Sequence, residues 1–286
     1  MNKTIKTWVA LLPLFITSCY NDDTTVTTNP QQDRVVAVNA GITREGNSTT
    51  GSAFANNDKI LITNVTRKNA GLICNSAVFT YDGSSWTSEG TLLWSAGEEN
   101  TFQAVYPSTA SYSSFTVPSD QSTEYKLKSA NWMTCEKKAT LANLTTASSL
   151  ELTFERKMAM VVVEITGLID VTTLASLTVE SPSPDNNNIT FETHDPKITA
   201  YKDATNENMF SAIIAPGSKS SEALLCTLIL NDASEKLLKL KNTTYFEAGK
   251  KYTFTYNMSS ASRGSDSAPT RSASPDNLTL VSVEPI

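Results

Sequence analysis

The segment KYTFTYN, residues 251–257, alternates strictly: Tyr252, Phe254 and Tyr256 share one face of an extended chain, and the residues between them are polar. Successive side chains of a β-strand point to opposite faces, so this pattern predicts a strand with one face in a hydrophobic core. Residues 102–106 and 152–154 show the same period. The chain is therefore predicted to be a β-protein.

Other segments are continuously apolar, which predicts strands that are covered on both faces. These segments are residues 160–165, 177–180, 212–215 and 223–230. Residues 81–86, YDGSSW, predict a hairpin, since Asp-Gly accepts the positive φ of a tight turn. No window keeps a helical period, and only residues 130–140 predict a short turn of helix. The fold class is accordingly all-β, with a sandwich architecture.

Two polar segments divide the chain. The first, residues 140–149, predicts an N-terminal β-sandwich over residues 35–150 and a C-terminal one over residues 151–257. The second, residues 259–275, is rich in Ser, Ala and Pro and has the composition of a linker. An isolated alternating run follows it, so residues 258–286 are interpreted as a C-terminal extension that carries one strand.

The start of the chain predicts export. Lys3 and Lys6 precede the apolar residues 8–16, a run too short to span a hydrocarbon layer of about 30 Å. The residues Ile16-Thr17-Ser18-Cys19 then resemble a bacterial lipobox. Residues 1–18 are therefore predicted to be a lipoprotein signal peptide. A plain signal peptide with an incidental cysteine is the alternative.

The lipobox predicts that Cys19 is acylated, because its thiol accepts a diacylglyceryl group before cleavage. Several acyl chains on one cysteine hold a protein at a membrane almost irreversibly. Residues 19–34 are polar and predict a flexible tether. Asp22 and Asp23 resemble the surface-export signal of Bacteroidetes lipoproteins, although they could simply solvate the tether. The predicted location is the outer membrane, with export to the cell surface.

Composition excludes several classes of partner and site. The net charge of −6 argues against binding of nucleic acid, which needs clustered basic residues. Cys74, Cys135 and Cys226 have no close spacing, so they form no zinc pattern. Each is interpreted as a small core residue, with one long-range disulfide as the open alternative.

Catalytic motifs are not recognisable in the sequence. The single histidine, His194, precedes Asp195-Pro196 in a predicted surface loop. We found no phosphate-binding glycine loop, nucleophile elbow or zinc-protease motif. The chain is therefore predicted not to be an enzyme and to need no cofactor or metal. Trp86, Trp94 and Trp132 could form a sugar-binding platform, but strand-rich surroundings favour a place in the core.

Taken in order along the chain, a set of residues resembles the fimbrillin family of Bacteroidales, the pilin-like lipoproteins of type V pili. In the first half the residues are Phe54, Asp58-Lys59-Ile60, Phe79, Tyr81-Asp82-Gly83, Trp86, Trp94, Phe102, Ala104, Tyr106-Pro107 and Asn131-Trp132-Met133. In the second half they are Leu152, Phe154, residues 158–165, residues 213–216 and residues 248–252. Arg156 stands where the family usually has a histidine.

The resemblance implies two tandem transthyretin-like β-sandwich domains and assembly by strand exchange. In that scheme an arginine-specific protease releases an N-terminal strand, and the C-terminal strand of another subunit fills the groove. An exposed sheet edge offers unpaired backbone groups, and the apolar face of the incoming strand completes the core. The implied partners are other pilin subunits, lipoprotein-processing enzymes and the protease, and the implied final location is the fimbrium.

On this chain the removable strand is predicted at residues 35–42, whose apolar face comprises Val36, Val38, Ala40 and Ile42. Arg44 follows that strand and is the first predicted processing site. Arg34 precedes it and is the second, where a cut would release the lipid but leave the strand in place. Both could also be uncleaved surface residues.

The candidate donor strand contains Leu278, Leu280, Val281 and Val283, which could instead close their own domain as an ordinary last strand. A strict period of two makes either Leu278 and Leu280 or Val281 and Val283 the inserted pair. Such a strand favours a shaft subunit, because a terminal subunit has no neighbour to donate to. The alternative function is a tip adhesin, or a monomeric surface lipoprotein that binds a glycan or a host protein.

Overall fold

The computed structural model describes residues 34–42, 54–95, 99–141, 149–167, 174–258 and 276–286. The predicted signal peptide, Cys19, Arg44 and the predicted linker at 259–275 lie outside these residues. The described chain is nearly all β, as predicted.

The first half begins with an edge strand and ends at Arg156. Its elements are β1 (Val38–Ile42), β2 (Lys59–Asn64), α1 (Val65–Asn69), β3 (Ser76–Tyr81), β4 (Trp86–Ser88), β5 (Glu99–Tyr106), β6 (Phe115–Val117), α2 (Glu124–Ser129), β7 (Met133–Thr140) and β8 (Leu150–Arg156).

The first large sheet has the strand order β1-β8-β7-β5-β2-β3-β4. All its pairs are antiparallel except β1 with β8, which run parallel. The predicted hairpin at residues 81–86 is present, with Tyr81 opposite Trp86. Gly83 takes φ 98°, and the Asp82 carboxylate accepts the backbone N–H groups of Ser84 and Ser85 at 2.8 and 2.7 Å. These bonds lower the pKa of Asp82.

The second half contributes the remaining strands. They are β9 (Ala159–Thr166), β10 (Leu174–Glu180), β11 (Ile189–Phe191), β12 (Lys197–Thr199), β13 (Tyr201–Lys202), β14 (Met209–Ile214), β15 (Gly217–Lys219), β16 (Leu224–Leu230), β17 (Glu235–Leu240), β18 (Thr244–Phe246), β19 (Lys250–Asn257) and β20 (Asp276–Pro285). The second large sheet has the order β12-β10-β16-β17-β20-β19-β9-β14-β13. β15 and β18 form a separate pair.

Each large sheet has its own hydrophobic cluster. The first cluster contains Phe102 and Phe154, and the second contains Phe210 and Phe254. The first sheet extends past residue 150, because β8 pairs with β7 and β1. The division of the chain into two domains stays a prediction. The transthyretin-like layout of each half stays a prediction.

The two halves interlock through residues 107–132. β6 lies outside the first sheet and pairs in parallel with β11, and Phe115 and Trp132 belong to the second cluster. Gln121 is fully buried; its side-chain amide donates to the Ile213 carbonyl at 2.8 Å and accepts the Ile213 N–H at 2.7 Å. A side chain thus supplies the pair of hydrogen bonds that a neighbouring strand would make.

Helices and cysteines show further differences from expectation. Residues 133–140 form β7, so the helical turn predicted across 130–140 is wrong, and a short helix lies earlier, at α2.

Cys135 and Cys226 are buried free thiols in different clusters, as predicted for core residues. Cys74 is only half-buried and belongs to neither cluster, so the interpretation of Cys74 as a core residue is wrong. Because Cys135 and Cys226 are free, no disulfide joins them to each other or to Cys74. Burial raises the pKa of the Cys135 thiol.

Candidate strand-exchange site

β1 is the edge strand of the first sheet, and it completes the first cluster. Its partners in β8 run from Leu150 opposite Val38 to Phe154 opposite Ile42. Ala40 and Ile42 are 3% and 5% exposed, and Val38 is half-buried. The alternating apolar residues predicted from the sequence therefore do share one core-facing side. β1 is both a hydrogen-bonded edge and part of the core.

The residues just before β1 pair with a different segment of the first half. The Val36 N–H donates to the Leu92 carbonyl at 2.9 Å, and the Trp94 N–H donates to the Arg34 carbonyl at 3.1 Å. Val36 itself is 2% exposed. The chain then crosses to β8, while Trp86 Nε1 donates to the Ala40 carbonyl at 3.4 Å. Residues 34–42 thus span the gap between β8 and the β4 side of the sheet.

Sequence reasoning missed this second attachment. The run Leu92-Leu93-Trp94 is a signal that could have indicated it, because three consecutive apolar residues outside a regular strand need a partner. Leu92 and Trp94 are 1% and 3% exposed.

An aromatic cluster borders the end of β1. Phe54 meets the rings of Trp86, Tyr106 and Phe154 edge-on, at centroid distances of 5.0, 5.7 and 5.5 Å. Phe54 lies beyond Arg44 in the sequence, so it would remain after a cut at that arginine. A chain without β1 would keep this aromatic wall next to the exposed edge of β8.

Of the two predicted processing sites, only Arg34 lies among the described residues. Arg34 is exposed, but its carbonyl accepts a hydrogen bond and the next residue forms a bridge with Leu93. A protease acting after Arg34 would have to separate this pairing first. Arg44 lies outside the described residues, between Ile42 and Phe54.

The candidate donor strand, β20, pairs with strands of its own chain. It pairs antiparallel with β19 from Lys250 opposite Pro285 to Thr255 opposite Thr279. On its other side it pairs in parallel with β17, and only through residues 276–278. β17 ends at Leu240, so the described structure gives β20 no strand partner on that side beyond Leu278.

Most apolar side chains of β20 are poorly covered. Leu278 is 1% exposed, whereas Leu280, Val281 and Val283 are 41%, 60% and 48% exposed. A bulge skips Val281 and sets Leu280 opposite Phe254 and Val283 near Tyr252. Leu278, Leu280 and Val283 consequently line one groove of about 410 Å³. The sequence period alone had placed Leu280 and Val283 on opposite faces.

Other candidates from the sequence do not assemble into a site. His194 is exposed on a turn. Trp94 and Trp132 are 3% and 5% exposed and belong to different clusters, so the three tryptophans form no shared platform. Among the described residues, no group of three or more His, Cys, Asp or Glu side chains is placed to hold a metal ion. No helix in the described part of the chain is long and apolar enough to cross a membrane.

Comparison with known families decides the relationship. The family model described as fimbrillin-like matches residues 43–273. The chain belongs to the fimbrillin-like family. The match begins after β1 and ends before β20, so the assignment of these two strands in this fimbrillin-like protein rests on its own geometry. No curated protein matches the chain.

Two solved structures with TM-scores above 0.5 share the fold at low sequence identity. A protein assigned to cell adhesion from Bacteroides ovatus is 14% identical with a TM-score of 0.57, over 88% of this chain and 98% of its own. A second, from Bacteroides uniformis, is 15% identical with a TM-score of 0.52 over the same shares. A fimbrial protein from Bacteroides ovatus is 17% identical with a TM-score of 0.48, over 78% of this fimbrillin-like chain and 48% of its own.

Proposed function

We propose that this protein is a structural subunit of the shaft of a cell-surface type V pilus, that it assembles by protease-triggered strand exchange and that it supports adhesion. One observation carries the proposal: β1 is a sheet-edge strand whose apolar side chains complete the first cluster. Arg44 lies two residues after Ile42, the last residue of β1. A strand so placed can leave without any change of topology in the remaining sheet.

Loss of β1 would create a strong acceptor for a new strand. Full burial of a Val or Ile side chain contributes about 1.5–3 kcal/mol, and β8 would also lose its hydrogen-bonding partner along one edge. The free energy that β1 now contributes would be available to a strand from another subunit. Hydrogen bonds along the edge and burial in the groove would then make a slowly dissociating joint.

β20 has the properties of the donor. Its bulge sets Leu278, Leu280 and Val283 on one face, and most of that face is exposed. Transfer into the groove of a neighbour would bury side chains that stay half-exposed in its own chain. A subunit that both donates and accepts can continue a polymer in both directions, which supports a place in the shaft.

Processing at Arg44 fits this scheme better than processing at Arg34. A cut after Arg44 separates β1, with Cys19 and its lipid, from the rest of the chain. A cut after Arg34 leaves β1 on β8 and keeps the groove closed. The acyl anchor on Cys19 would then serve delivery to the outer membrane, and the processed subunit would pass into the fimbrium.

The test is arginine-specific proteolysis of the purified precursor. We expect ladders of oligomers that resist SDS, and we expect deletion of residues 277–286 to abolish them. Arg44→Lys should block the ladders, whereas the matched variant Arg34→Lys should not. A cleaved protein that lacks β1, keeps β20 and remains monomeric would contradict the proposal.

A further inference from the structure

β1 and β20 end in the same cleft, although they belong to different sheets. This cleft, of about 210 Å³, lies where the two sheets meet. Ile42 at the end of β1 lines it, together with Met133 and Arg156 from the first sheet. Ile213 lines it from the second sheet, and Ile286, which follows β20, lines it as well.

Ile286 is held in the cleft by hydrogen bonds to both halves. Its N–H donates to the Gly249 carbonyl at 2.9 Å, and its main-chain oxygen accepts from Arg156 Nε at 3.3 Å. Gly249 adopts φ 77° and donates its own N–H to the Met158 carbonyl at 2.8 Å. Besides its ladder with β19, β20 is thus held at one end by the cleft and at the other by the buried Leu278. The side chains between these two points are largely exposed.

β1 holds the opposite wall of the cleft in place. Ile42 pairs with Phe154, and Arg156 lies two residues further along β8, on the same face as Phe154. Arg156 also pairs with Met133 in β7, and its Nη1 contacts the Met133 sulfur at 3.6 Å. Departure of β1 would remove the Ile42 side chain and expose the edge of β8 next to Arg156. Water would then compete for the hydrogen bond between the Arg156 guanidinium and the Ile286 main-chain oxygen.

We propose that this cleft couples the two strands: with β1 in place it binds the Pro285–Ile286 segment and keeps β20 on its own chain. Loss of β1 opens the cleft, and β20 becomes free to enter another copy of the subunit. The coupling itself concerns only the stability of β20 within a single chain. It rests on the proposed function in one respect, namely that the released β20 acts as a donor strand. It ensures that a donor strand is offered only by a subunit that has itself been processed.

Hydrogen–deuterium exchange of the full chain, followed by mass spectrometry, tests the coupling. Ile42→Ala and Arg156→Ala should each raise the exchange rate of the β20 amides by about tenfold, because either change weakens the hold on Ile286. The matched control is Val36→Ala, which truncates a buried residue of the same N-terminal segment and the same cluster but lies away from the cleft. It should leave exchange in β20 within about twofold of the wild type.

Unchanged exchange of β20 in Ile42→Ala would overturn the coupling, and so would an equal rise in Val36→Ala. Ile42→Val and Arg156→Lys provide milder changes should the alanine variants not fold. They should raise exchange in the same direction by a smaller factor, and no rise in either would count against the coupling.

The oligomer assay separates this inference from the proposed function. If Arg156→Ala forms ladders after proteolysis while β20 exchange is unchanged from the wild type, the coupling is wrong and the pilus function stands. If β20 exchange responds as expected but processed wild type never forms ladders, the coupling stands and the pilus function fails.

Discussion

β1 is the first strand of the described chain and β20 is the last, yet they differ in their position in the sheet and in the burial of their side chains. β1 lies at a sheet edge with its alternate side chains buried, and Ile42 is only 5% exposed. β20 lies inside its sheet, between β17 and β19, and Val283 is 48% exposed. Position in a sheet therefore does not decide how much a strand contributes to a core. Side-chain cover decides it.

The largest expected difference comes from placing a carboxylate at equivalent points of the two strands. Ile42→Asp should destabilise the protein by more than about 4 kcal/mol, because an unpaired carboxylate would be buried in the first cluster. Val283→Asp should change stability by less than about 1 kcal/mol, since its side chain already meets solvent. Chemical denaturation of both variants measures the contrast, and similar losses would contradict it.

A smaller difference is expected from truncation to alanine. Ile42→Ala should lower the free energy of unfolding by about 3 kcal/mol, and Val283→Ala by less than about 1 kcal/mol. The shift of the denaturation midpoint is the measurement. Equal shifts would mean that β20 is packed as tightly as β1.

Within β20 the burial pattern predicts a gradient. Leu278→Ala should cost about 2–4 kcal/mol, and Leu280→Ala about 1 kcal/mol, because only Leu278 is fully buried. Urea denaturation of the two variants, which remove the same atoms, checks this. A larger loss in Leu280→Ala would show that the groove beside β20 is closed in solution.

The smallest effect concerns an ion pair on β20. Lys251 Nζ lies 3.0 Å from the Glu284 carboxylate, and this hydrogen-bonded pair lowers the pKa of Glu284 from its usual 4.5. Since the folded-state pKa is the lower one, the contribution is present above about pH 4.5 and is lost as pH falls through the folded value. Glu284→Gln should therefore melt slightly below wild type at pH 7 and together with it at pH 3. A difference that persists at pH 3 would exclude the ion pair as its cause.

Much of the fold was predictable because a strand with one solvent-exposed face alternates polar and apolar residues in the sequence. The strand at 251–257, the hairpin at 81–86 and the buried face of Val36, Ala40 and Ile42 are all confirmed in position. These features depend on local sequence and on the pleat of a single strand.

The parts that were missed depend on contacts between distant residues. β8 joins the first sheet through pairing with β1 and β7, which no property of residues 150–156 reveals. The bulge at Val281 inserts one residue into the ladder, so it reverses the faces that a strict alternation assigns. The convergence of Ile42 and Ile286 on one cleft likewise follows from the packing of two sheets.

The interlocking of residues 107–132 sets a limit on how this chain can be divided. An isolated N-terminal half would leave Phe115 and Trp132 without the second cluster, and an isolated C-terminal half would lose their cover together with the Gln121 amide. Either half produced alone is therefore expected to expose apolar side chains that the intact chain buries, so a fragment for crystallisation should contain both halves.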